Sequence, residues 1–362
     1  MARLRILTLV SLLLAVVVFL VKNHVPATVT AGDGLLLSKS WLSINQHPQV
    51  PVKDVRPPDQ TFLTFPEWFL VFSPAEQAAY FKTHTSTTFP YLKHTDQLWK
   101  GYDVVYDQIK GNYPFNTGYH VMIMVIAGST TIEYGIKAWY ETVFGRVTDT
   151  DELTSEDQFN AQYMQSYVDF IEDTPWYEYN FSNQLKTLWA DDSIFGTHFL
   201  RKLERRYYLT TELLVKGAYG WLIKQATQAS YDAALLNTTV VIDSVPKNKM
   251  LLKEVRNVRN LPGSLTMMDL PRYADFNTSV CKLARNGVKF TEIAGNKGAI
   301  MLTVLAGKPL QNSNNCKVLF TQPIVTQPGI SRVALVTTVG NLSPVVVKLL
   351  NSNIAIEHIY DY

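Results

Sequence analysis

An apolar segment near the N-terminus constrains this chain more than any other feature. Residues 4–21 are apolar on every face of a helix, and Arg5 is their one charged residue. A helix of that length rises about 27 Å, which matches the hydrocarbon thickness of a bilayer. Arg3 and Arg5 stand at its start and Lys22 follows it. This pattern predicts a transmembrane anchor over residues 1–24 with a cytoplasmic N-terminus.

A cleaved signal peptide is the alternative for this segment. Val29, Thr30 and Ala31 offer the small residues of a cleavage site. The apolar run is longer than the usual hydrophobic part of a signal peptide, and Lys22 follows it directly, which favours the anchor. Both alternatives place the following residues beyond the membrane. The predicted location is therefore the membrane, as in a bacterial inner membrane, with the C-terminal domain on the non-cytoplasmic side.

The composition argues against a nucleic-acid-binding protein. The formal net charge is +2 and charged residues make up 18% of the chain, so no concentrated basic surface is expected. Aromatic residues make up 12%, which fits either proximity to lipid or an aromatic core. One basic cluster, at Arg201, Lys202, Arg205 and Arg206, is predicted to be a solvated helix face, with a contact to lipid headgroups as the alternative.

Cys281 and Cys316 are the two cysteines of the chain. Two cysteines provide neither a disulfide framework nor a cysteine-based zinc site. Export of the domain would allow a disulfide between Cys281 and Cys316, and two buried free thiols are the alternative.

Proline and helical periodicity divide the first two thirds of the chain. Six prolines mark residues 25–66 as a linker. Residues 67–235 are predicted to be helical and rich in Tyr and Trp. One helix is expected to begin at Ser73 and Pro74, and another, over 154–171, to have Ser155 as its N-cap.

Two apolar stretches within this helical region each contain a Glu–Lys pair. Glu133 and Lys137 lie in residues 118–140, and Glu212 and Lys216 lie in residues 207–223. The i,i+4 spacing places both charges of a pair on one helix face. Either both stretches are core helices of a soluble helical domain, or one or both are further membrane helices whose charges face protein or water.

After residue 240 the helical period gives way to alternation and to β-branched residues. A shift of 66 residues relates a predicted strand, helix and strand at 265–270, 273–286 and 288–293 to a second set at 332–338, 343–350 and 354–359. Two further strands are expected between them. The predicted class is α+β, with residues 240–362 forming a ferredoxin-like domain whose two helices lie on one face of a single sheet.

The sequence contains no motif with a known catalytic, metal-binding or cofactor-binding mechanism. The seven histidines are scattered, and Gly295 and Gly298 are predicted to form a hairpin turn. The chain is therefore predicted to be a membrane-anchored envelope protein of binding or scaffold type, with lipid and a protein as partners. The alternative is a three-span transporter or channel component that uses the Glu–Lys pairs. An enzyme would need distant residues to converge.

Overall fold

The computed structural model describes residues 30–31, 37, 41–42, 47–190, 195–230, 236–244 and 255–361. The predicted anchor at 4–21 lies outside these residues. The described chain is of the α+β class and divides into two compact units. Unit 1 contains Trp68–Asp96 and the described part of Ile126–Ala234. Unit 2 contains Gln97–Val125 and the described parts of Pro26–Glu67 and Leu235–Tyr362.

Among the described residues before residue 231 there are six α-helices of ten or more residues. The third helix continues beyond Tyr140 through a π-helical turn at Glu141–Gly145 and a short turn at Arg146–Thr148. The helices are α1 (Gln60–Phe81), α2 (Tyr91–Ile109), α3 (Thr117–Tyr140), α4 (Ser155–Ile171), α5 (Phe181–Ala190) and α6 (Phe199–Ser230).

Helix α1 begins earlier than the sequence predicts. It runs through both Pro66 and Pro74, so Ser73 lies in its interior and is not an N-cap. An internal proline costs a helix about 3 kcal/mol. Burial of a large apolar side chain contributes about 1.5–3 kcal/mol. Phe62 and Phe69 of α1 are completely buried, so the packing of its apolar side chains offsets the two prolines.

Helix α4 begins with a capping box, one residue before the predicted cap. The N-cap is Thr154, whose hydroxyl accepts a hydrogen bond from the backbone N–H of Asp157 at 3.2 Å. The Asp157 carboxylate in turn accepts a hydrogen bond from the backbone N–H of Thr154 at 3.2 Å. Two backbone donors of the first turn are thereby satisfied.

Unit 2 contains two antiparallel sheets. The five-stranded sheet has the order β1-β7-β8-β6-β9, and the four-stranded sheet has the order β3-β4-β2-β5. The strands are β1 (Thr30–Ala31), β2 (Asn237–Ile242), β3 (Arg256–Asn260), β4 (Thr266–Pro271), β5 (Phe290–Ile293), β6 (Ala299–Ala306), β7 (Cys316–Pro323), β8 (Ser331–Thr338) and β9 (Ala355–Ile359). Helix α7 (Ala274–Arg285) connects β4 to β5, and helix α8 (Val339–Asn351) connects β8 to β9.

The two sheets are built from one repeated arrangement. In the first half β4 and β5 flank β2 and are antiparallel to it, and in the second half β8 and β9 flank β6 in the same way. The order β3-β4-β2-β5 therefore corresponds to β7-β8-β6-β9. The repeat seen in the sequence covers the last three elements of each half. The structure adds β2 and β3 to the first copy, and it assigns the two strands expected between the copies, β6 and β7, to the second.

The strands divide between two sheets, whereas the sequence predicts one. In each copy the two strands that the helix connects pair with a third strand of the same copy, and they do not pair with strands of the other copy. Gly295 has the positive φ of +85° that a tight turn requires, and an antiparallel bridge between Ile293 and Asn296 closes this turn as in a hairpin. Beyond the bridge, β5 and β6 belong to different sheets and do not pair with each other. One apolar core contains residues of both sheets and both helices, such as Met268, Val280, Leu302 and Val346.

Candidate functional site

The two Glu–Lys pairs of the sequence meet in unit 1 and form one cluster. Lys137 of α3 lies 3.1 Å from Glu133 and 3.0 Å from Glu212 of α6. Lys216 of α6 lies 3.1 Å from Glu133 and 3.0 Å from Glu212. Each lysine therefore contacts both carboxylates. We call Glu133, Lys137, Glu212 and Lys216 the charge quartet.

The charge quartet is largely withdrawn from solvent. The side chains of Lys137 and Glu212 are 6% and 9% exposed, that of Lys216 is 15% exposed, and that of Glu133 is 38% exposed. Isolated charges would pay a large desolvation cost here, whereas two cations and two anions in mutual contact offset much of it. The quartet is neutral as a whole, with Glu133 at its accessible edge.

Tyrosine rings surround the two ammonium groups. The Nζ atom of Lys137 lies 5.9 Å from the ring centre of Tyr91, and that of Lys216 lies 5.3 Å from the ring centre of Tyr167. Ring faces attract cations at these distances. Burial raises the pKa of Tyr167 to about 12 and raises the pKa of Tyr163 further. These phenols remain neutral at physiological pH, so the charge balance belongs to the quartet alone.

A cavity of about 60 Å³ adjoins the quartet. Glu133, Lys137 and Lys216 form part of its wall. The remaining wall consists of residues from α1, α3 and α4: Leu70, Pro74, Gln77, Thr130, Tyr134, Met164 and Tyr167. The cavity therefore joins the charged groups to two aromatic rings and two neutral polar side chains.

A second buried ionic cluster corrects the prediction of a solvated basic face on α6. Arg201, Arg205 and Arg206 are 1%, 0% and 2% exposed. Each has a carboxylate partner far away in the sequence: Arg201 pairs with Asp157 at 2.8 Å, Arg205 with Glu141 at 2.6 Å, and Arg206 with Glu156 at 2.7 Å. The neighbouring Glu204 also pairs with Arg201 and Arg205. The face of α6 that carries these charges is thus an interior face.

The opposite face of α6 is apolar and exposed. Leu203, Tyr207, Leu214 and Leu222 are 48%, 67%, 57% and 56% exposed. Between Leu203 and Leu222 no exposed position of the helix carries a charged side chain. That stretch is about 28 Å long, which is close to the roughly 30 Å of a bilayer's hydrocarbon core.

Helix α3 and its continuation present a matching stripe. Its exposed apolar residues follow one another at intervals of three or four positions. They are Ile136 (57% exposed), Trp139 (60%), Val143 (42%) and Val147 (82%). Among the described residues, Thr117–Thr148 is the one helix long and apolar enough to cross a membrane, and 33% of its most apolar part is buried. The rest of that part is partly buried or exposed.

The two apolar stripes lie on the same side of the helix pair. Contacts of Glu133 with Lys216, and of Glu141 with Arg205, show that α3 and α6 are antiparallel. At about 100° per residue, Tyr140 and Tyr208 each lie between the ionic contacts and the exposed stripe of their helix. The ring centres of Tyr140 and Tyr208 are 4.6 Å apart. The two stripes therefore flank this contact on the same side of the helix pair. We call the combined surface the α3–α6 apolar face.

A buried hydrogen-bonded chain in unit 1 was not predicted from the sequence. The Ser73 hydroxyl lies 2.9 Å from Nδ1 of His94 and 2.8 Å from the Tyr134 hydroxyl. Nε2 of His94 lies 3.6 Å from a carboxylate oxygen of Glu76. A serine, a histidine and a carboxylate form the catalytic set of many hydrolases. Here Ser73 is 1% exposed in the interior of α1, so this network connects core helices and offers no access to a substrate.

The two cysteines carry free thiols in the structure. Cys281 lies on α7 and Cys316 begins β7, as the sequence predicts. Burial raises the pKa of Cys281, and it raises that of Cys316 to about 11. Such thiols react slowly at neutral pH. The predicted disulfide stays a prediction that depends on the compartment.

No group of three or more His, Cys, Asp or Glu side chains within the described ranges is arranged to hold a metal ion. Comparison of the chain with protein-family models, with curated proteins and with solved structures found no match.

Proposed function

We propose that this chain is a membrane protein of binding or scaffold type, and that helices α3 and α6 face the hydrocarbon of the bilayer. One observation carries the proposal: α6 buries the charged side chains of one face and exposes apolar side chains on the opposite face. Arg205 is completely buried on α6, while Leu214 of the same helix is 57% exposed. A water-soluble helix has the opposite distribution.

Lipid accounts for both halves of this distribution. Exposed apolar patches larger than about 300–600 Å² are uncommon on soluble monomers. In the hydrocarbon of a bilayer, by contrast, apolar side chains are well solvated. Charged side chains in membrane helices face the protein interior and pair with one another. The quartet and the arginine cluster have this arrangement.

The pairing within the quartet supports a scaffold role. Every charge of the quartet has two partners of opposite sign, and in each case one of the two partners lies on the other helix. Paired charges between neighbouring helices fix their register. The quartet would hold α3 and α6 in one alignment, and the predicted anchor would keep the chain in the envelope membrane.

The repeated halves of unit 2 support a finer proposal about its fold. Each half contains a split β-α-β motif, in which a helix connects two strands that flank an antiparallel strand. Ferredoxin-like domains contain two such motifs in one sheet, and we propose that each half of unit 2 is related to that plan. Domains of this kind bind small ligands or proteins, so the fold alone does not fix a partner.

Spin labels test the lipid-facing surface directly. In a chain carrying Cys281→Ser and Cys316→Ser, a label is attached at Ile136→Cys or Leu214→Cys, with Gln162→Cys on an exposed polar face of α4 as control. After reconstitution into vesicles, labels at the first two positions should be relaxed by oxygen and shielded from a water-soluble nickel complex. Equal exposure of all three labels to the nickel complex would refute the proposal.

A second candidate function is a three-span transporter or channel component. The observation that favours it is the cavity beside the quartet, whose edge residue Glu133 is 38% exposed. If both α3 and α6 cross the membrane, residues around Ser155 lie in the cytoplasm. A maleimide that does not cross membranes should then fail to label Ser155→Cys from outside intact cells. Labelling from outside would exclude the three-span arrangement.

A further inference from the structure

Two lysines of the charge quartet converge on one carboxylate oxygen at the edge of the cavity. The Nζ atoms of Lys137 and Lys216 each lie 3.1 Å from Oε1 of Glu133. The cavity wall contains both ammonium groups together with this one carboxylate. An anionic oxygen of a ligand at the position of that Oε1 atom would therefore accept two charge-assisted hydrogen bonds, which are the strong ones.

Glu212 holds the same two ammonium groups from outside the cavity wall. Its Oε1 atom lies 3.0 Å from each Nζ atom, and its side chain is 9% exposed. If the Glu133 carboxylate moved away, Lys137 and Lys216 would stay paired with Glu212 and would present one net positive charge to the cavity. The contact of Lys137 with Glu212 joins α3 to α6, so the alignment of the two helices would persist.

Glu133 is the replaceable member of the quartet. Its side chain is 38% exposed, and its ion pairs within the described ranges run through Oε1 to the two lysines. A carboxylate at this edge regains hydration when it moves outward, whereas the buried Glu212 would not. The wall contains residues of α1 and α4, and its Thr130 lies about a third of a turn around α3 from Ile136 of the apolar stripe. The exchange therefore takes place on a side of α3 other than the α3–α6 apolar face.

Apolar side chains supply part of the remaining wall. Leu70 and Pro74 of α1 and Met164 of α4 line the cavity, whose volume is about 60 Å³. A volume of this size holds a group of a few atoms, and a short aliphatic chain there would gain free energy by leaving water. The wall thus suits a ligand that has an anionic head and a short apolar tail.

We infer that this cavity binds a small aliphatic carboxylate, whose head takes the place of the Glu133 carboxylate between Lys137 and Lys216. The inference rests on the binding role in the proposed function and gives that role a ligand class. Glu133 acts as an internal competitor that occupies the site in the absence of ligand. Because a tethered group competes at an effective concentration on the order of millimolar, the site responds to abundant carboxylates and ignores traces.

Acetate is the probe that tests the site. Saturation-transfer NMR on the full chain in a carboxylate-free detergent should show binding of acetate and none of methylammonium, which has a similar size and the opposite charge. Glu133→Gln should bind acetate about tenfold more tightly, because it removes the competing charge. Lys216→Gln should bind it about tenfold more weakly, the effect of losing one charged hydrogen-bond donor. Glu152→Gln, which changes an exposed carboxylate outside the cavity wall, should have no effect.

Thermal unfolding of the parent chain provides a measurement that needs no variant. Acetate should raise its Tm above the value in sodium chloride of equal ionic strength. Absence of acetate binding, equal acetate affinity of the parent and a folded Glu133→Gln, equal binding of methylammonium, or equal competition by chloride would overturn the inference. Because the experiments in detergent do not depend on lipid contact, their failure is separable from failure of the spin-label test.

Discussion

Gly295 joins the two sheets of unit 2 with a backbone that other residues rarely adopt. Its φ is +85°, and a Cβ atom at this position would lie 2.9 Å from Cγ1 of Val55. Gly287 has a similar φ of +79° but open space around it. The two glycines therefore separate the cost of the backbone conformation from the cost of the steric contact.

Gly295→Ala should destabilise the protein more than Gly287→Ala. Left-handed strain alone costs about 1–2 kcal/mol, and the overlap with Val55 adds to it at position 295. Denaturant titration of both variants measures the difference in the free energy of unfolding. Equal losses would show that Val55 moves aside at no cost.

His358 should make the protein less stable in mild acid. Burial lowers the pKa of His358 well below its ordinary value, and the side chain is 1% exposed. Below about pH 6.5 the unfolded chain binds a proton that the folded chain excludes, so the stability falls by up to about 1.4 kcal/mol for each further pH unit. Above that pH the effect vanishes.

The measurement is the change in unfolding free energy between about pH 7.5 and about pH 5.5 for the parent chain and for His358→Phe. The variant should lose less stability on acidification, because it cannot take up that proton in either state. An identical pH dependence in both chains would contradict a buried neutral His358.

At the scale of elements, the quartet fixes one alignment of α3 against α6. Exchanging the charges of α6 in Glu212→Lys with Lys216→Glu leaves each helix with an internal pair but opposes like charges between helices. This variant should be destabilised by several kcal/mol, because buried like charges repel. Adding Glu133→Lys and Lys137→Glu restores opposite signs at all four contacts and should recover most of the loss.

Thermal unfolding of the parent, the α6 exchange, the α3 exchange and the fourfold variant forms a complete cycle. Its interaction energy isolates the contacts between the two helices. Additive losses in the fourfold variant would mean that the quartet does not set the register.

Local pattern predicted the elements of unit 2 well. The expected strand at 265–270 is β4 (Thr266–Pro271), and the expected helix at 273–286 is α7 (Ala274–Arg285). Alternation and helical period are local properties, so one sequence reveals them. The division into two sheets depends on which strands pair across tens of residues, and nothing in a strand's own pattern specifies its partner.

For the same reason, the sequence predicts the two local pairs of the candidate site but not the contact between them. The i,i+4 spacing identifies Glu133 with Lys137, and Glu212 with Lys216, but the contact between the pairs spans 75 residues. Arg205 resembles a solvated charge because its partner Glu141 is 64 residues away. The acidic residues at the start of α4 likewise have two functions. Their negative charge is stabilised by the positive end of the helix dipole, and Asp157 also pairs with Arg201.

At the scale of the whole molecule, the α3–α6 apolar face implies more than one contact with the membrane. A chain held by its N-terminal segment alone would become water-soluble when residues 1–24 are removed. A chain whose helices α3 and α6 face lipid would not, because the eight exposed apolar side chains of this face each gain up to roughly 1.5–3 kcal/mol in hydrocarbon. That gain would hold the chain in the membrane without the anchor.

The truncated chain should therefore remain in the membrane fraction after carbonate extraction and should float with vesicles in a density gradient. Adding Ile136→Glu and Leu214→Lys to the truncated chain places charges on the α3–α6 apolar face and should release a large share of it, since each central charge opposes insertion by about 2.5–3.5 kcal/mol. The same two substitutions in the full chain should leave it membrane-bound through the predicted anchor. A truncated chain that is fully soluble, monomeric and folded without detergent would show that water covers this face, and the lipid-facing assignment of α3 and α6 would then be wrong.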